Sequence, residues 1–386
     1  MFIHHLKVSG LLSFGPEGVD LALNPLNVLI GPNGSGKSNL LEVLALLRSA
    51  PSYLPAPVKE VGGISQWLWK GGRAPHQVLI DVQVEGPMGV PPILHGLKIT
   101  EHGRRFEVVD EWITSAEEEL SAGDAEFYYR FRHGHPSLTD REGQARTMRR
   151  ETLNPEESIL SQVRDPESYP VLYWLQEQYK QIRLYRNWSF GPTAPWRQEQ
   201  SAHARSDVLN DGGENLIPVL FNLHSRIKQD LIESLRKLFE GIDDLAFGLG
   251  GGNVQLFLVE RGREIPASRL SDGTLRYLAL LAILLHPDPP SMIALEEPEL
   301  GLHPDILPHV AELLVRASER TQLVVTTHSR MLVDALTDQP SSVVVCEKED
   351  GQSQLRRLNA DTLRAWLDDY TLGTLWSMGE LGGNRW

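Results

Sequence analysis

The chain has 386 residues, of which 41% are hydrophobic, a net charge of −14 and a single cysteine, Cys346. This length and hydrophobic content predict a large globular α/β protein, and the acidic balance argues against a surface coated for nucleic-acid binding. One cysteine excludes an internal disulfide and a cysteine-based zinc site, which fits a cytoplasmic protein. The longest apolar run, 275–285, is too short to span a bilayer and the first residues lack the pattern of a signal peptide, so we expect no membrane partner.

A phosphate-binding loop is predicted near the N-terminus. Residues 2–30 alternate between apolar and polar positions and predict two or three strands, and a helix follows at 39–48. Between them, the spacing Gly31-x-x-x-x-Gly36-Lys37-Ser38 lets backbone N–H groups surround an anion at a helix N-terminus. We expect Lys37 to reach the β- and γ-phosphates and the Ser38 hydroxyl to ligate Mg²⁺. The predicted nucleotide-binding residues of this loop are Asn33, Gly34, Ser35, Gly36, Lys37, Ser38 and Asn39.

An antiparallel sheet lobe is expected after this loop. Alternating runs at 78–84, 97–100, 106–109 and 127–131 predict its strands. Segment 130–150 is rich in arginine, which we interpret as solvated side chains on an exposed hairpin; a positive strip is the alternative. These arginines are Arg130, Arg132, Arg141, Arg146, Arg149 and Arg150.

A helical subdomain is predicted at 156–240, with a break at about 187–213 that is rich in Gly, Pro, Ser and Asp. The helix after the break, about 214–239, has apolar residues at helical spacing along one face. A strand at 254–260 then returns the chain to α/β character. We therefore divide the chain into an N-terminal lobe (1–155), a helical subdomain (156–250) and a C-terminal lobe (251–386).

Two further stretches carry chemistry in the C-terminal lobe. Ser271, Asp272 and Gly273 open the helix at 275–285, where a hydroxyl and free amides could bind phosphate or form an ordinary helix cap. An apolar strand ends at Glu296 and Glu297, and the strand at 322–327 is followed by His328. Because strand ends are where an α/β sheet places its ligands, we expect the first acid to hold Mg²⁺ and the second to orient an attacking water.

The order of these motifs resembles the ATP-binding-cassette ATPases, specifically the chromosome-maintenance and recombination-repair branch with its overcoming-lysogenisation-defect relatives and bacterial AAA-family ATPases. The resemblance is firm for 1–48 and 265–345. It implies a P-loop NTPase head of α/β class, with an antiparallel β lobe and an inserted helical subdomain. It assigns Walker A to 31–38, the signature motif to 271–274, Walker B to Glu296 and Glu297, the D-loop to 300–303 and the switch histidine to His328.

The resemblance also implies a Q-loop glutamine that ligates the metal, for which Gln162 is the first candidate and Gln66 the second. Two positions depart from the family pattern. Asp272 stands where a second glycine is usual, and Glu296 stands where an aspartate is usual. Near the γ-phosphate, Asp272 would repel its charge unless the side chain turns away. We interpret both departures as traits of a subfamily.

The function implied by this resemblance is that of an ATPase with catalytic residues Lys37, Glu297 and His328 and the cofactors ATP and Mg²⁺. Two copies would face each other, with Ser271 and Gly273 of each copy completing the phosphate site of the other, in DNA repair or in defence against foreign DNA. The alternative is a switch that controls a separate effector such as a nuclease or toxin, because the 58 residues after His328 leave no room for a nuclease domain. A transporter subunit, a kinase and a GTPase fit the motifs less well.

Overall fold

The computed structural model describes residues 1–71, 77–116, 127–132, 135–186, 188 and 191–383. The chain forms two compact units. The first comprises Met1–Ile182, Val344–Leu358 and the segment from Leu381, and the second comprises Arg183–Val343 and Asn359–Glu380. The division into three parts at residues 155 and 250 stays a prediction.

The described residues contain the following regular elements. The strands are β1 (Ile3–Ser9), β2 (Val19–Ala22), β3 (Leu26–Ile30), β4 (Gln77–Val84), β5 (Ile93–His102), β6 (Arg105–Ser115), β7 (Phe127–Arg132), β8 (His135–Thr139), β9 (Ala145–Thr147), β10 (Arg183–Tyr185), β11 (Gln200–Ser201), β12 (Ile242–Gly250), β13 (Asn253–Glu260), β14 (Arg263–Pro266), β15 (Met292–Glu296), β16 (Gln322–Thr326), β17 (Val343–Glu349) and β18 (Gln352–Arg357). The helices are α1 (Lys37–Ser49), α2 (Ala56–Glu60), α3 (Ile64–Trp67), α4 (Ile159–Gln162), α5 (Pro170–Lys180), α6 (Leu216–Leu238), α7 (Asp272–Leu284), α8 (Leu307–Ser318), α9 (Arg330–Asp334), α10 (Ala360–Leu367) and α11 (Leu372–Met378).

A wide antiparallel sheet dominates the first unit. Its strand order within the described ranges is β2-β1-β4-β5-β6-β7-β8-β9. In β4 the side chains of Val78, Ile80 and Val82 are buried, while the residues between them are partly exposed. This alternation arises because successive side chains of a strand point to opposite faces. The sheet confirms the predicted antiparallel lobe.

The predicted phosphate loop of the first unit follows a buried strand. All five residues of β3 are buried, and β3 lies beside β17, which pairs with β18 in an antiparallel hairpin. The chain then turns through residues 31–36 into α1. Phe14 is also fully buried in this unit. A strand, a loop and a helix therefore follow one another as the sequence predicts.

Parallel strands organise the second unit. β10, β15 and β16 are parallel, and the register pairs Glu296 with Thr326, so the C-terminal ends of β15 and β16 lie side by side. Helix α7 is buried along almost its whole length, and Tyr277 on it donates a hydrogen bond of 2.9 Å to the carbonyl of Ser234 on α6. The site residues of this unit are thus set at strand ends and at the start of a buried helix.

The segment 156–240 contains strands that its sequence pattern does not indicate. Strand β10 follows α5 directly and pairs with β15, and β11 pairs with β13. Strand β10 has three residues and β11 has two. Both are too short to show the alternation of apolar and polar residues by which a strand is recognised in a sequence. The predicted helix at 214–239 is α6, which has non-helical dihedrals at Ile227. None of the helices in the described ranges is long and apolar enough to cross a bilayer.

Candidate functional site

In the first unit, glycines determine the shape of the loop between β3 and α1. Gly31, Gly34 and Gly36 have φ values of 146°, 80° and 102°. A Cβ on Gly31 would lie 2.2 Å from the carbonyl oxygen of Cys346, and one on Gly36 would lie 2.3 Å from the hydroxyl of Ser353. Gly36 is the N-cap of α1 and supplies no side-chain cap. The first amides of α1 are therefore free of a capping side chain, which suits an anion.

Lys37 and Ser35 place buried polar groups in this loop. The Lys37 ammonium is 2.8 Å from the Gly31 carbonyl oxygen and 3.1 Å from that of Pro32, and the residue is only 6% exposed. The Ser35 hydroxyl is buried and has no hydrogen-bond partner within the described part of the chain. Buried polar groups normally have partners. Ser35 therefore fits a loop that takes a polar ligand.

The remaining predicted residues of the loop lie at its surface or at its edge. Asn33, Gly34 and Ser38 are exposed. Asn39 donates a hydrogen bond of 2.5 Å from its amide to the hydroxyl of Ser13, and Ser13 also bonds Ser353 at 2.6 Å. The segment before β2 and the β17–β18 hairpin thereby support the start of α1. This part of the site was not indicated by the sequence, because Ser13 and Ser353 are far apart in it.

In the second unit, the backbone of Glu297 has an unusual conformation. Its φ is 45°, in the left-handed region, which costs a residue with a Cβ about 1–2 kcal/mol. The Glu297 N–H donates to the Thr326 carbonyl at 3.0 Å, and its own carbonyl accepts from Arg276 at 2.8 Å and from the Leu300 N–H at 3.1 Å. Three neighbours therefore hold the two peptides that flank this residue.

The side chains of Glu297 and His328 meet at the ends of β15 and β16. Glu297 Oε1 is 3.6 Å from His328 Nε2, and both side chains are about one-third exposed. Glu299 supports this pair: its Oε1 accepts hydrogen bonds from the Thr327 hydroxyl at 2.6 Å and from the His328 N–H at 2.8 Å. Glu299 thus fixes the backbone that carries His328. The sequence prediction named Glu297 and His328 and missed Glu299.

The predicted signature motif is the first turn of α7. Ser271 is the N-cap: its hydroxyl accepts from the Thr274 N–H at 3.0 Å and bonds the Thr274 hydroxyl at 2.7 Å. A Cβ on Gly273 would lie 2.6 Å from the carbonyl oxygen of Gly301. The glycine is therefore required for close contact between α7 and the segment that follows Glu297. Both predicted uses of Ser271, as a helix cap and as a phosphate ligand, remain compatible with this geometry.

Arg197 neutralises the aspartate at the unusual signature position. Its guanidinium donates to Asp272 Oδ1 at 2.5 Å and also to the carbonyls of Gly191 and Ser268, at 3.0 Å and 3.3 Å. Asp272 accepts a further bond from the Gly191 N–H at 3.3 Å. The hydrogen bond from Arg197 is the main reason why the pKa of Asp272 lies below its usual value, and the Gly191 N–H adds to the shift. No sequence pattern indicates this role for Arg197, which ends a short 3-10 helix, Pro195–Arg197.

The glutamines proposed as metal ligands make local contacts. Gln162 Oε1 accepts from the Asn154 N–H at 2.7 Å, and its Nε2 donates to the Glu157 carbonyl at 3.1 Å. Gln66 accepts from the Lys70 ammonium at 2.7 Å. Within the described ranges, no group of three or more His, Cys, Asp or Glu side chains could hold a metal ion. The metal roles of Ser38, Glu296 and Gln162 therefore stay predictions.

The chain has the fold of Smc head domains. A structure of the SmcHead bound to the C-winged helix domain of ScpA is 14% identical, with a TM-score of 0.60 and coverage of 94% of this chain and 99% of that chain. An Smc head with an extended coiled coil from Pyrococcus furiosus is 13% identical, with a TM-score of 0.56 and coverage of 95% and 99%. An Smc head from Pyrococcus yayanosii is 12% identical, with a TM-score of 0.51 and coverage of 95% and 99%.

A family model described as "AAA domain, putative AbiEii toxin, Type IV TA system" matches residues 26–334. This range contains every predicted site residue. The chain belongs to this family. It has no match among curated protein sequences.

The left-handed backbone of Glu297 leads to a prediction about stability. Glycine normally stabilises a helix or strand less than alanine does, but at a left-handed position the order reverses. We expect Glu297→Gly to melt above Glu297→Ala by a margin equivalent to about 1 kcal/mol. At Glu233, an exposed position within α6, the same two substitutions should give the ordinary order. The melting temperatures of the four variants check this. If Glu297→Gly melts at or below the temperature of Glu297→Ala, the prediction is contradicted.

The close approach of Gly273 to Gly301 leads to a second prediction. Gly273→Ala places a methyl group 2.6 Å from a backbone oxygen, so α7 or the segment after Glu297 must shift. We expect a loss of about 1–3 kcal/mol of stability, as for an overpacked site. Gly250→Ala is the matched control, since a Cβ there meets nothing within 4 Å. Denaturant unfolding of the two variants measures the difference, and equal midpoints would show that the contact is unimportant.

Proposed function

We propose that this protein is a Mg²⁺-dependent ATPase that closes as a homodimer when ATP binds. The observation that carries the proposal is the left-handed Glu297, whose carboxylate lies beside His328 at the ends of two parallel strands. A strained backbone conformation costs free energy and persists only where surrounding contacts hold it, and such residues cluster at functional sites. A glutamate in that position is suited to act on a water molecule, which is the role proposed for it here.

Phosphate binding is assigned to the loop before α1. The backbone amides of the loop and of the first turn of α1 would donate to the phosphate oxygens, and Lys37 would exchange its contacts with loop carbonyls for the β- and γ-phosphates. The buried hydroxyl of Ser35 supports a polar ligand in the loop. The proposed ligands are Asn33, Gly34, Ser35, Gly36, Lys37, Ser38 and Asn39.

Magnesium binding is assigned to Ser38 and Glu296, with Gln162 as a further candidate. These side chains offer oxygen donors, which Mg²⁺ prefers, and Mg²⁺ in nucleotide sites is typically held by one or two protein ligands together with phosphate oxygens and water. A site of that kind needs no cluster of acidic side chains in the protein. When bound, the ion would offset the negative charge of the phosphate oxygens.

Hydrolysis is assigned to Glu297 and His328. The Glu297 carboxylate would accept a hydrogen bond from the attacking water and orient it toward the γ-phosphate. His328 would donate to a γ-phosphate oxygen and thereby stabilise the charge of the transferring group. Glu299 supports both steps, because its contacts fix the main chain at Thr327 and His328.

Dimerisation is assigned to the signature turn of α7. In the proposed dimer, the Ser271 hydroxyl and the Gly273 amide of one copy would bind the γ-phosphate held by the other copy. The pairing of Asp272 with Arg197 supports this role, since it directs the negative charge into a salt bridge within the same copy. The unusual aspartate is then compatible with a phosphate beside it.

Three proteins test the ATPase proposal: wild type, Lys37→Ala and Glu297→Gln. We expect Lys37→Ala to lose ATP binding and turnover, because the loop loses its only buried cation among the described residues. Glu297→Gln should bind ATP normally, turn over about 100-fold more slowly and accumulate as an ATP-bound dimer. Steady-state ATP hydrolysis and mass in solution measure both effects.

Lys59→Ala is the control for removal of a lysine in the first unit, since Lys59 is exposed and contacts Glu156. It should behave as wild type. A Glu297→Gln protein that stays monomeric with saturating ATP and Mg²⁺ would contradict dimerisation, and wild-type turnover by Lys37→Ala would contradict the assignment of the phosphate site.

The biological process proposed first is DNA repair or defence against foreign DNA. An exposed basic group supports a DNA contact: Arg141, Arg146 and Arg149 are exposed at and beside β8 and β9. The second candidate is a switch that holds and releases a separate protein effector. The family description, which names a toxin and a type IV TA system, favours this candidate, and so does the net charge of −14.

Double-stranded DNA separates the two candidates. If DNA is the target, wild-type turnover should rise when DNA is added, and replacing Arg146 and Arg149 by glutamate should remove the increase while leaving basal turnover unchanged. Steady-state hydrolysis at two salt concentrations measures this. An ATP-dependent dimer whose turnover ignores DNA at both salt concentrations would instead favour a protein effector.

A further inference from the structure

Arg276 is a buried cation on the helix that begins with the signature turn. It lies one turn after Asp272 and is 6% exposed. Burial lowers its pKa, while the carboxylates of Glu299 and Glu297 oppose this effect. Burying a guanidinium costs free energy unless hydrogen bonds and charges compensate, so its position in an otherwise apolar helix calls for a specific role.

Two contacts direct the Arg276 guanidinium toward the strand end. Its Nη2 donates a hydrogen bond of 2.8 Å to the carbonyl of Glu297, and its central carbon lies 5.0 Å from the centre of the Trp188 ring. Stacking on an aromatic ring restricts a guanidinium to a small set of orientations. Trp188 therefore orients the group that holds the Glu297 carbonyl.

The hydrogen bond from Arg276 acts on the peptide that determines the direction of the Glu297 side chain. The peptide before Glu297 is held by the Thr326 carbonyl, and the peptide after it is held by Arg276 together with the Leu300 N–H. With both flanking peptides fixed, the Cα–Cβ bond of Glu297 has one direction. Without Arg276, the Leu300 N–H alone would hold this carbonyl, and the residue could more readily leave its left-handed conformation and relieve about 1–2 kcal/mol of strain.

We propose that Arg276 is a positioning residue for Glu297, and that it connects the signature turn of α7 to the carboxylate that acts on water. The proposal rests on the function proposed above for these two elements. Gly273 and Arg276 are three residues apart and therefore on the same face of α7. One is in close contact with Gly301 and the other holds Glu297. A shift of the first turn of α7 on phosphate binding is thus transmitted to the segment 297–301.

Turnover kinetics test the positioning role. Arg276→Met removes the hydrogen bond and keeps a long, unbranched apolar side chain. Arg276→Lys keeps the positive charge but lacks the planar guanidinium. We expect kcat for ATP to fall about tenfold or more in Arg276→Met and by less in Arg276→Lys, with KM within about twofold of wild type. The matched control is Arg320→Lys, since Arg320 donates a bond of 2.9 Å to the Leu284 carbonyl at the other end of α7. Its kcat should be that of wild type.

Hydrogen exchange tests the same contact without nucleotide. In Arg276→Met the amides of Glu297 and of residues 299–302 should exchange at least about tenfold faster than in wild type, while the rest of the second unit and the Arg320→Lys control keep their rates. Unchanged exchange at 297–302, or a uniform increase throughout the unit, would overturn the positioning role. If wild type hydrolyses ATP and Arg276→Met keeps its kcat, this inference fails alone. If wild type does not hydrolyse ATP, the proposed function fails. Hydrogen exchange then still shows whether Arg276 holds the Glu297 carbonyl.

Discussion

The peptide of Glu297 is the constraint on which the second unit depends. A glutamate at φ 45° is unfavourable by itself and persists because Thr326, Arg276 and Leu300 bond both sides of it. These contacts join the end of β15 to β16 and to α7. The buried helix, the parallel strand pair and the segment that carries His328 therefore meet at one residue, and the proposed chemistry takes place on its side chain.

The sequence predicts much of this arrangement because its signals are local. The glycine spacing before Lys37 predicts the loop between β3 and α1, and an apolar run that ends in acids predicts the strand β15. The antiparallel lobe follows from period-two alternation, and α6 follows from one apolar face. The likeness to Smc heads could also be predicted, because the order of the motifs is itself specific.

The sequence could not predict the contacts that hold these motifs in place, because they join distant segments. Arg197 is 75 residues from Asp272, and Arg276 is 21 residues from Glu297. No local sequence pattern indicates which arginine will form a salt bridge with an aspartate or donate a hydrogen bond to a backbone carbonyl. The left-handed conformation of Glu297 could not be predicted from the sequence either, because glutamate has no preference for it. From the sequence, Asp272 was a departure from the family pattern, and its salt bridge to Arg197 gives it a physical explanation.

The proposed roles of the loop and of Glu297 can be tested by a structure of Glu297→Gln with ATP and Mg²⁺. We expect ATP phosphates within the loop 31–38, with Lys37 on the β- and γ-phosphates, and residue 297 still in the left-handed conformation with its carbonyl bonded to Arg276. We also expect Ser271 of a second copy at the γ-phosphate. Nucleotide bound elsewhere, or residue 297 in an extended conformation with the nucleotide in place, would contradict these roles.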